Sequence, residues 1–271
     1  MNEKYQRLLD KKKNGMPISM VTAYDAPAAR LEQEAGIDVL LVGDSVGTNV
    51  LGYASEREVT IGDMEHHLRA VVRGAPDAYI MVDIPFNCAA DPFQAFENAR
   101  RLNDCGAHMV KIEGWEDKKT VIGYLAEKGI AVCGHIGYNP QYHGPKGRVF
   151  GKDAAVAREL LRSARQLEDA GARMMIVEKV PEEVTKVITE ASSIPIIGIG
   201  SGRYCDGQVL VFHDIIGLAG RTFRHARKYA EIETIILEAL KRYKTEVEEH
   251  LFPAAGHAAH LDRETAGMLG S

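Results

Sequence analysis

The chain has 271 residues, of which 45% are hydrophobic, and a formal net charge of -5 from 33 basic and 38 acidic side chains. That is ample apolar material for one large core, and the mixed, slightly acidic charge excludes the basic footprint of a nucleic-acid binder. No apolar run approaches the roughly 20 residues that span a bilayer, and Cys88, Cys105, Cys133 and Cys205 form no CxxC pair, which disfavours a disulfide framework or a cysteine zinc site.

The first segment, MNEKYQRLLDKKKNG, carries a lysine triplet without an apolar h-region, so it does not read as a secretory signal and a cytoplasmic location is expected. Eight short apolar runs follow, at 18–23, 39–43, 79–84, 109–113, 131–135, 174–178, 195–200 and 209–212. They are continuous rather than alternating, as strands buried on both faces are. Amphipathic stretches lie between them. Asp91-Pro92 supplies an N-cap and a first-turn proline before Phe93, Phe96, Ala99 and Leu102 at helical spacing; Val156, Leu160, Ala164 and Leu167 repeat the pattern. Gly36, Gly106, Gly129 and Gly171 each close a helical pattern just before a strand, where a left-handed residue ends a helix.

This alternation predicts an α/β fold, a (βα)8 TIM barrel. A single domain over 1–253 includes an N-terminal helix and a C-terminal helical extension over 230–250, and 254–271 reads as a flexible tail. A doubly wound sheet would show a glycine-rich phosphate turn after its first strand, but the chain has Ala23-Tyr24-Asp25-Ala26-Pro27 there. The glycines of Gly198-Ile199-Gly200-Ser201-Gly202 fit either a phosphate site after strand seven or a tight strand-to-helix turn.

Four apolar runs end in acids: Asp44 in VLLVGDS, Asp83 in YIMVDIP, Glu113 in MVKIEG and Glu178 in MMIVEKV. In a parallel barrel these ends share one face, and the acids are expected at its solvent-facing rim. Converging there, they would bind a hard cation and leave one carboxylate over as an acid or base. Lys111 and Glu113, two apart on a strand, point to the same side. Each residue also has a plainer reading. Asp44-Ser45 could cap the next helix, Glu178 could pair with Lys179 or Lys152, Lys111 could snorkel from the rim, and His135 could be a hydrogen-bonded core residue. Four strand-end acids plus an inward lysine are hard to explain as independent caps. His66-His67 and His257/His260 lack supporting ligands and read as solvated.

TAYD (22–25), LVGDS (41–45), VRGAP (72–76), QAFENA (94–99), MVKIEG (109–114), VCGHIG (132–137), IPIIGIGSG (194–202) and DGQVLVFHDIIG (206–217) occur in one order. This set strongly resembles the ketopantoate hydroxymethyltransferases, over roughly residues 16 to 250. The resemblance implies a barrel of the phosphoenolpyruvate/pyruvate superfamily. It also implies transfer of a one-carbon unit from 5,10-methylenetetrahydrofolate to 3-methyl-2-oxobutanoate, toward pantothenate. It assigns Asp44 and Asp83 to a Mg²⁺ ion chelated by the 2-oxo acid, with Glu113 in the metal's shell, directly or through water. Ser45 and Lys111 would hold the substrate carboxylate, His135 would line the same pocket, and Glu178 would accept the proton. Homo-oligomers, often decamers, are also implied. The partners expected are the 2-oxo acid, the folate and further copies of the chain, with no nucleic acid and no membrane.

The chemistry agrees with this assignment. A divalent cation chelated by the keto and carboxylate oxygens stabilises an enolate as a Lewis acid, and Mg²⁺ prefers oxygen ligands. The chain departs from the family pattern in loops of the active face, at Trp115, at 55–60 and across 138–151. Loops there set specificity, which keeps open an alternative: a related Mg²⁺-dependent aldol-type transferase or carbon–carbon lyase acting on a different 2-oxo acid. No cysteine follows strand five, which disfavours a lyase with a loop cysteine.

Overall fold

In a computed structural model, which describes residues 3–114, 116–144, 147–220 and 223–269, the apolar runs form strands that pair in parallel and in chain order, closing into a barrel. They are β1 (Ile18–Thr22), β2 (Val39–Val42), β3 (Ile80–Asp83), β4 (Met109–Glu113), β5 (Val132–Gly137), β6 (Met174–Glu178), β7 (Ile196–Ile199) and β8 (Gly207–Leu210). Alternate residues turn inward and fill the barrel, among them Met20, Leu41, Met81, Met109, Cys133, Met174 and Ile197. The outward set packs with the helices in a second, larger cluster that includes Leu40, Val82, Val110 and Val177. Both faces of each strand are buried, which is why the runs do not alternate.

Around the barrel lie α2 (Ala26–Glu34), α3 (Ile61–Gly74), α4 (Pro92–Asp104), α5 (Lys119–Glu127), α7 (Ala154–Asp169) and α8 (Glu182–Ala191). Helix α1 (Glu3–Lys13) plugs the end of the barrel opposite the acids, burying Tyr5 and Leu8 against the inner cluster. Its basic C-terminus is anchored by Lys11 to Asp38 and Lys12 to Asp206, each at 2.6 Å. Asp91 caps α4 as expected, and Gly36, Gly106, Gly129 and Gly171 all have positive φ.

The structure corrects four expectations. β8 begins two residues early, because Gly207 pairs with Ile18 and Phe212 already belongs to α9 (Phe212–Ile216). No helix separates β7 from β8, so the strand–helix alternation lapses there. Phe93 is 72% exposed, because the buried stripe of α4 is Ala95, Ala99 and Leu102. His67 is not a solvated residue: its Nδ1 lies 2.6 Å from the Tyr24 carbonyl.

The glycines after β7 are accounted for by packing. A Cβ on Gly202 would meet the Glu182 side chain at 2.1 Å, and Ser201 Oγ, buried, bonds the Val177 carbonyl and the Val180 amide. A carboxylate against this turn is a poor phosphate cradle. Beyond β8 the chain forms α10 (Ile232–Glu248), which buries no residue. Residues 254–271, expected as a flexible tail, carry a 3-10 turn at Ala255–His257 and the exposed helix α11 (Arg263–Met268). No helix among the described residues is long and apolar enough to cross a membrane.

Candidate active site

The barrel register brings the strand-end residues together. Asp83 pairs with Lys111 across β3 and β4, Glu113 with His135 across β4 and β5, and Gly137 with Glu178 across β5 and β6. Because alternate residues share a side, Asp83, Lys111, Glu113, His135 and Glu178 all line one pocket of about 260 Å³ at the C-terminal mouth, with Asp44 and Ser45 beside them. A larger, shallower groove of about 600 Å³ runs between α3 and α4, but none of the strand-end acids lines it.

The rim is not solvent-facing as expected. Asp44, Asp83, Lys111, Glu113, His135 and Glu178 are 4, 2, 5, 3, 2 and 8% exposed, respectively. Lys111 stands between two of them: its Nζ lies 2.7 Å from Asp83 Oδ1 and 3.5 Å from Glu113 Oε1. Burial works against its charge, but Asp83, Glu113 and Asp44 outweigh burial and raise its pKa, so it remains a cation. It is an inward cation and not a snorkelling rim residue. Burial alone would raise Glu113 too, yet Lys111 and His135 hold it well below the usual carboxylate range. Asp44 goes the other way, pushed up first by burial and then by Asp83 and Glu113, with Lys111 and Gln141 only partly opposing.

His135 bridges the two halves of the site. Its Nδ1 sits 3.2 Å from Glu113 Oε1, and its Nε2 lies 3.4 Å from Glu178 Oε2 without an aligned hydrogen bond. Burial lowers its pKa, but the Glu113 charge and hydrogen bond prevail and raise it. On its other side Glu178 is 3.6 Å from Lys179 Nζ. The ion pair expected as the plain reading therefore exists, alongside the pocket position. Lys179 itself adopts φ 49° and lies 3.9 Å over the Tyr138 ring.

Two contributors escaped the sequence reading. Tyr24, 2% exposed, shares a 2.8 Å hydrogen bond with Ser45 Oγ. Gly43 lets that hydroxyl approach, since a Cβ there would sit 2.9 Å from it. Gln141 reaches in from α6 (Pro140–His143), donating from Nε2 to Asp44 Oδ2 at 2.7 Å and from its backbone N–H to Glu113 Oε2 at 3.0 Å. The TAYD motif and the Asn139-Pro140-Gln141 turn were the only signals available. Trp115, expected at the mouth, lies outside the described residues.

Four buried carboxylates, all hard oxygen donors, face one lysine and one histidine. Among the described residues no three His, Cys, Asp or Glu side chains are gathered so as to hold a metal ion by themselves, so a cation here would rest on one or two carboxylates. This is the donor set expected for Mg²⁺, which takes one or two carboxylates and leaves its other positions to water and substrate.

Residues 2–255 match the family model of ketopantoate hydroxymethyltransferase. The chain belongs to that family. It is 50% identical over 264 residues to the 3-methyl-2-oxobutanoate hydroxymethyltransferase of Thermotoga sp. (strain RQ2), covering 96% of this chain and 97% of that one. It is 46% identical over 261 residues to the enzyme of the same name from Chloroflexus aurantiacus (strain ATCC 29366 / DSM 635 / J-10-fl), covering 95% and 93%. A phosphonopyruvate hydrolase solved in complex with oxalate and Mg²⁺ shares the fold at a TM-score of 0.64, with 10% identity over 98% of this chain and 95% of that one. The strand-end acids of this family member thus sit on a barrel shared well beyond the family.

Proposed function

We propose that this chain transfers a hydroxymethyl group from 5,10-methylenetetrahydrofolate to 3-methyl-2-oxobutanoate, giving 2-dehydropantoate through an enolate. The observation that carries the reading is the buried juxtaposition of Asp44, Asp83 and Glu113 with Lys111, with β5 between Lys111 and Glu178. In this reading Asp44 and Asp83 hold Mg²⁺, with Glu113 binding it directly or through water. Mg²⁺, when bound, supplies Lewis acidity at the keto and carboxylate oxygens of the acid.

The residues do the rest. Ser45, oriented by Tyr24, and Lys111 receive the substrate carboxylate. Lys111 keeps a fixed positive charge where negative charge develops on the enol oxygen. Glu178 accepts the proton from C3, with His135 Nε2 3.4 Å from its carboxylate. Apolar Leu41, Ile176, Ile199 and Val209 line the same pocket and limit water around the reacting carbon. Water cleaves the two C–N bonds of the folate's methylene bridge, releasing tetrahydrofolate and a formaldehyde unit. C3 of the enolate adds to its carbonyl carbon, and the oxygen takes back the proton held by Glu178 to become the hydroxyl.

The experiment is transfer from ¹³C-labelled methylenetetrahydrofolate to a panel of branched 2-oxo acids with Mg²⁺, followed by NMR. Labelled 2-dehydropantoate from 3-methyl-2-oxobutanoate is expected. Label in the product of a different acid alone would favour the alternative aldol-type reading, to which the departures at 138–151 point.

Homo-oligomerisation belongs to the same proposal. Helix α10 sets Ile236, Leu240, Tyr243 and Val247 at 41, 60, 56 and 41% exposure along one stripe, with ion pairs such as Arg242–Glu246 on the polar side. An amphipathic helix with no buried residue has a face built for a neighbour, and a second copy of the chain is the occupant that family resemblance implies, often as a decamer. Light scattering should give a multiple of the monomer mass, reduced in Leu240→Lys. A wild-type monomer would contradict it.

A further inference from the structure

We propose that Gln141 is a positioning residue that fixes the Asp44 carboxylate for the divalent cation, an inference that rests on the cation reading above. Gln141 is 3% exposed and stands on a four-residue helix that would otherwise be a surface turn. It contacts three strand ends at once. Its Nε2 donates to Asp44 Oδ2 at 2.7 Å and to the Ile84 carbonyl at 3.2 Å, and its backbone N–H donates to Glu113 Oε2 at 3.0 Å.

The other acids have charged partners. Asp83 takes the Lys111 ammonium on Oδ1 and the Asp44 backbone N–H on Oδ2. Glu113 takes Lys111 and His135 on Oε1. Among the described hydrogen bonds to Asp44's side chain, the Gln141 amide is the donor. That choice suits a cation ligand. A lysine there would fix the carboxylate but cancel the charge that attracts the ion. An amide fixes Oδ2 without adding charge and leaves Oδ1 available. Hydrogen bonds to ligating carboxylates orient them, and removing one typically costs about 10- to 100-fold in metal affinity.

The small helix is itself held in place, so the amide arrives preset. Arg57 donates to the Gln141 carbonyl at 2.5 Å and to the Tyr142 carbonyl at 3.0 Å, and Asn139 Nδ2 donates to the His135 carbonyl at 3.1 Å. These contacts also supply the control. If Gln141 mattered only as part of the anchored turn, loosening the turn through Arg57 would have the same effect.

The test is Mn²⁺ titration followed by electron paramagnetic resonance, with Mn²⁺ alone as probe and no turnover. Gln141→Leu, and Gln141→Met as a second variant should the first fold poorly, are expected to bind Mn²⁺ about 10- to 100-fold more weakly. Arg57→Leu, which loosens the turn but keeps the amide and its bond to Asp44, is expected to lose clearly less than the Gln141 variants do. Wild-type affinity in the Gln141 variants, or an equal loss in Arg57→Leu, overturns the inference. A wild-type protein that takes up no Mn²⁺ overturns the cation reading itself, and this inference with it.

Discussion

Glu178→Gln is expected to slow exchange of the C3 hydrogen of 3-methyl-2-oxobutanoate with D₂O by about 10²- to 10⁴-fold, the usual worth of a general base. The amide keeps the size and reach of the side chain but cannot accept the proton. Binding of the acid with Mg²⁺ should be little changed, since Glu178 lies at the end of β6 while the acids assigned to the cation end β2, β3 and β4. NMR without folate isolates this step from one-carbon transfer. The alternative proton acceptor is His135, whose Nε2 has no aligned hydrogen bond and sits within 3.4 Å of Glu178. Undiminished exchange in Glu178→Gln would move the role to His135. A loss in both Glu178→Gln and His135→Gln would instead show that the histidine matters for holding the glutamate.

Asp83→Ala is expected to abolish Mg²⁺-dependent binding of the 2-oxo acid, and also to destabilise the fold. The second effect follows from burial. Asp83 is the nearest partner of a lysine that is 5% exposed, and breaking a buried pair from one side typically costs about 3–5 kcal/mol. Asp83→Asn separates the effects. It keeps the shape and one acceptor oxygen, enough for Lys111 or for the Asp44 amide but not for both, so melting should fall less than in Asp83→Ala, while the lost charge still removes the cation. Calorimetry with Mg²⁺ and acid, paired with thermal melts, reads both. Wild-type binding in either variant would sink the assignment of Asp83.

Most of the barrel was legible because its strands are buried on both faces and therefore read as unbroken apolar runs, and because glycines with positive φ close the helices before β2, β4, β5 and β6. The eighth strand was misplaced because Gly207 and Gln208 carry no apolar signal. Their pairing depends on Ile18 and Ser19, far away at the other end of the barrel's strand order. Phe93 misled the helical pattern because its ring packs against Tyr124 at the surface instead of under the helix. The acids themselves announced the site, since a carboxylate has no apolar reason to end a buried run.

What the sequence could not convey was how those acids are held. Gln141 lies 97 residues from Asp44, and Tyr24 21 residues from Ser45. Neither contact has a periodicity or a spacing to betray it; each exists only once the barrel has closed. Burial was missed for the same reason. Strand ends suggested a wet rim, but the turn carrying Gln141 folds over the acids and is held there by Arg57 from the loop after β2.

The most direct measurement of the central claim is C3 exchange of 3-methyl-2-oxobutanoate in D₂O by the wild-type protein, first with Mg²⁺ and then with EDTA, in the absence of folate. A pocket in which buried carboxylates hold the cation and Glu178 takes the proton predicts rapid exchange with Mg²⁺, loss of exchange on chelation, and recovery when Mg²⁺ is restored. Exchange that continues at full rate in EDTA, or no exchange with Mg²⁺ present, would contradict it.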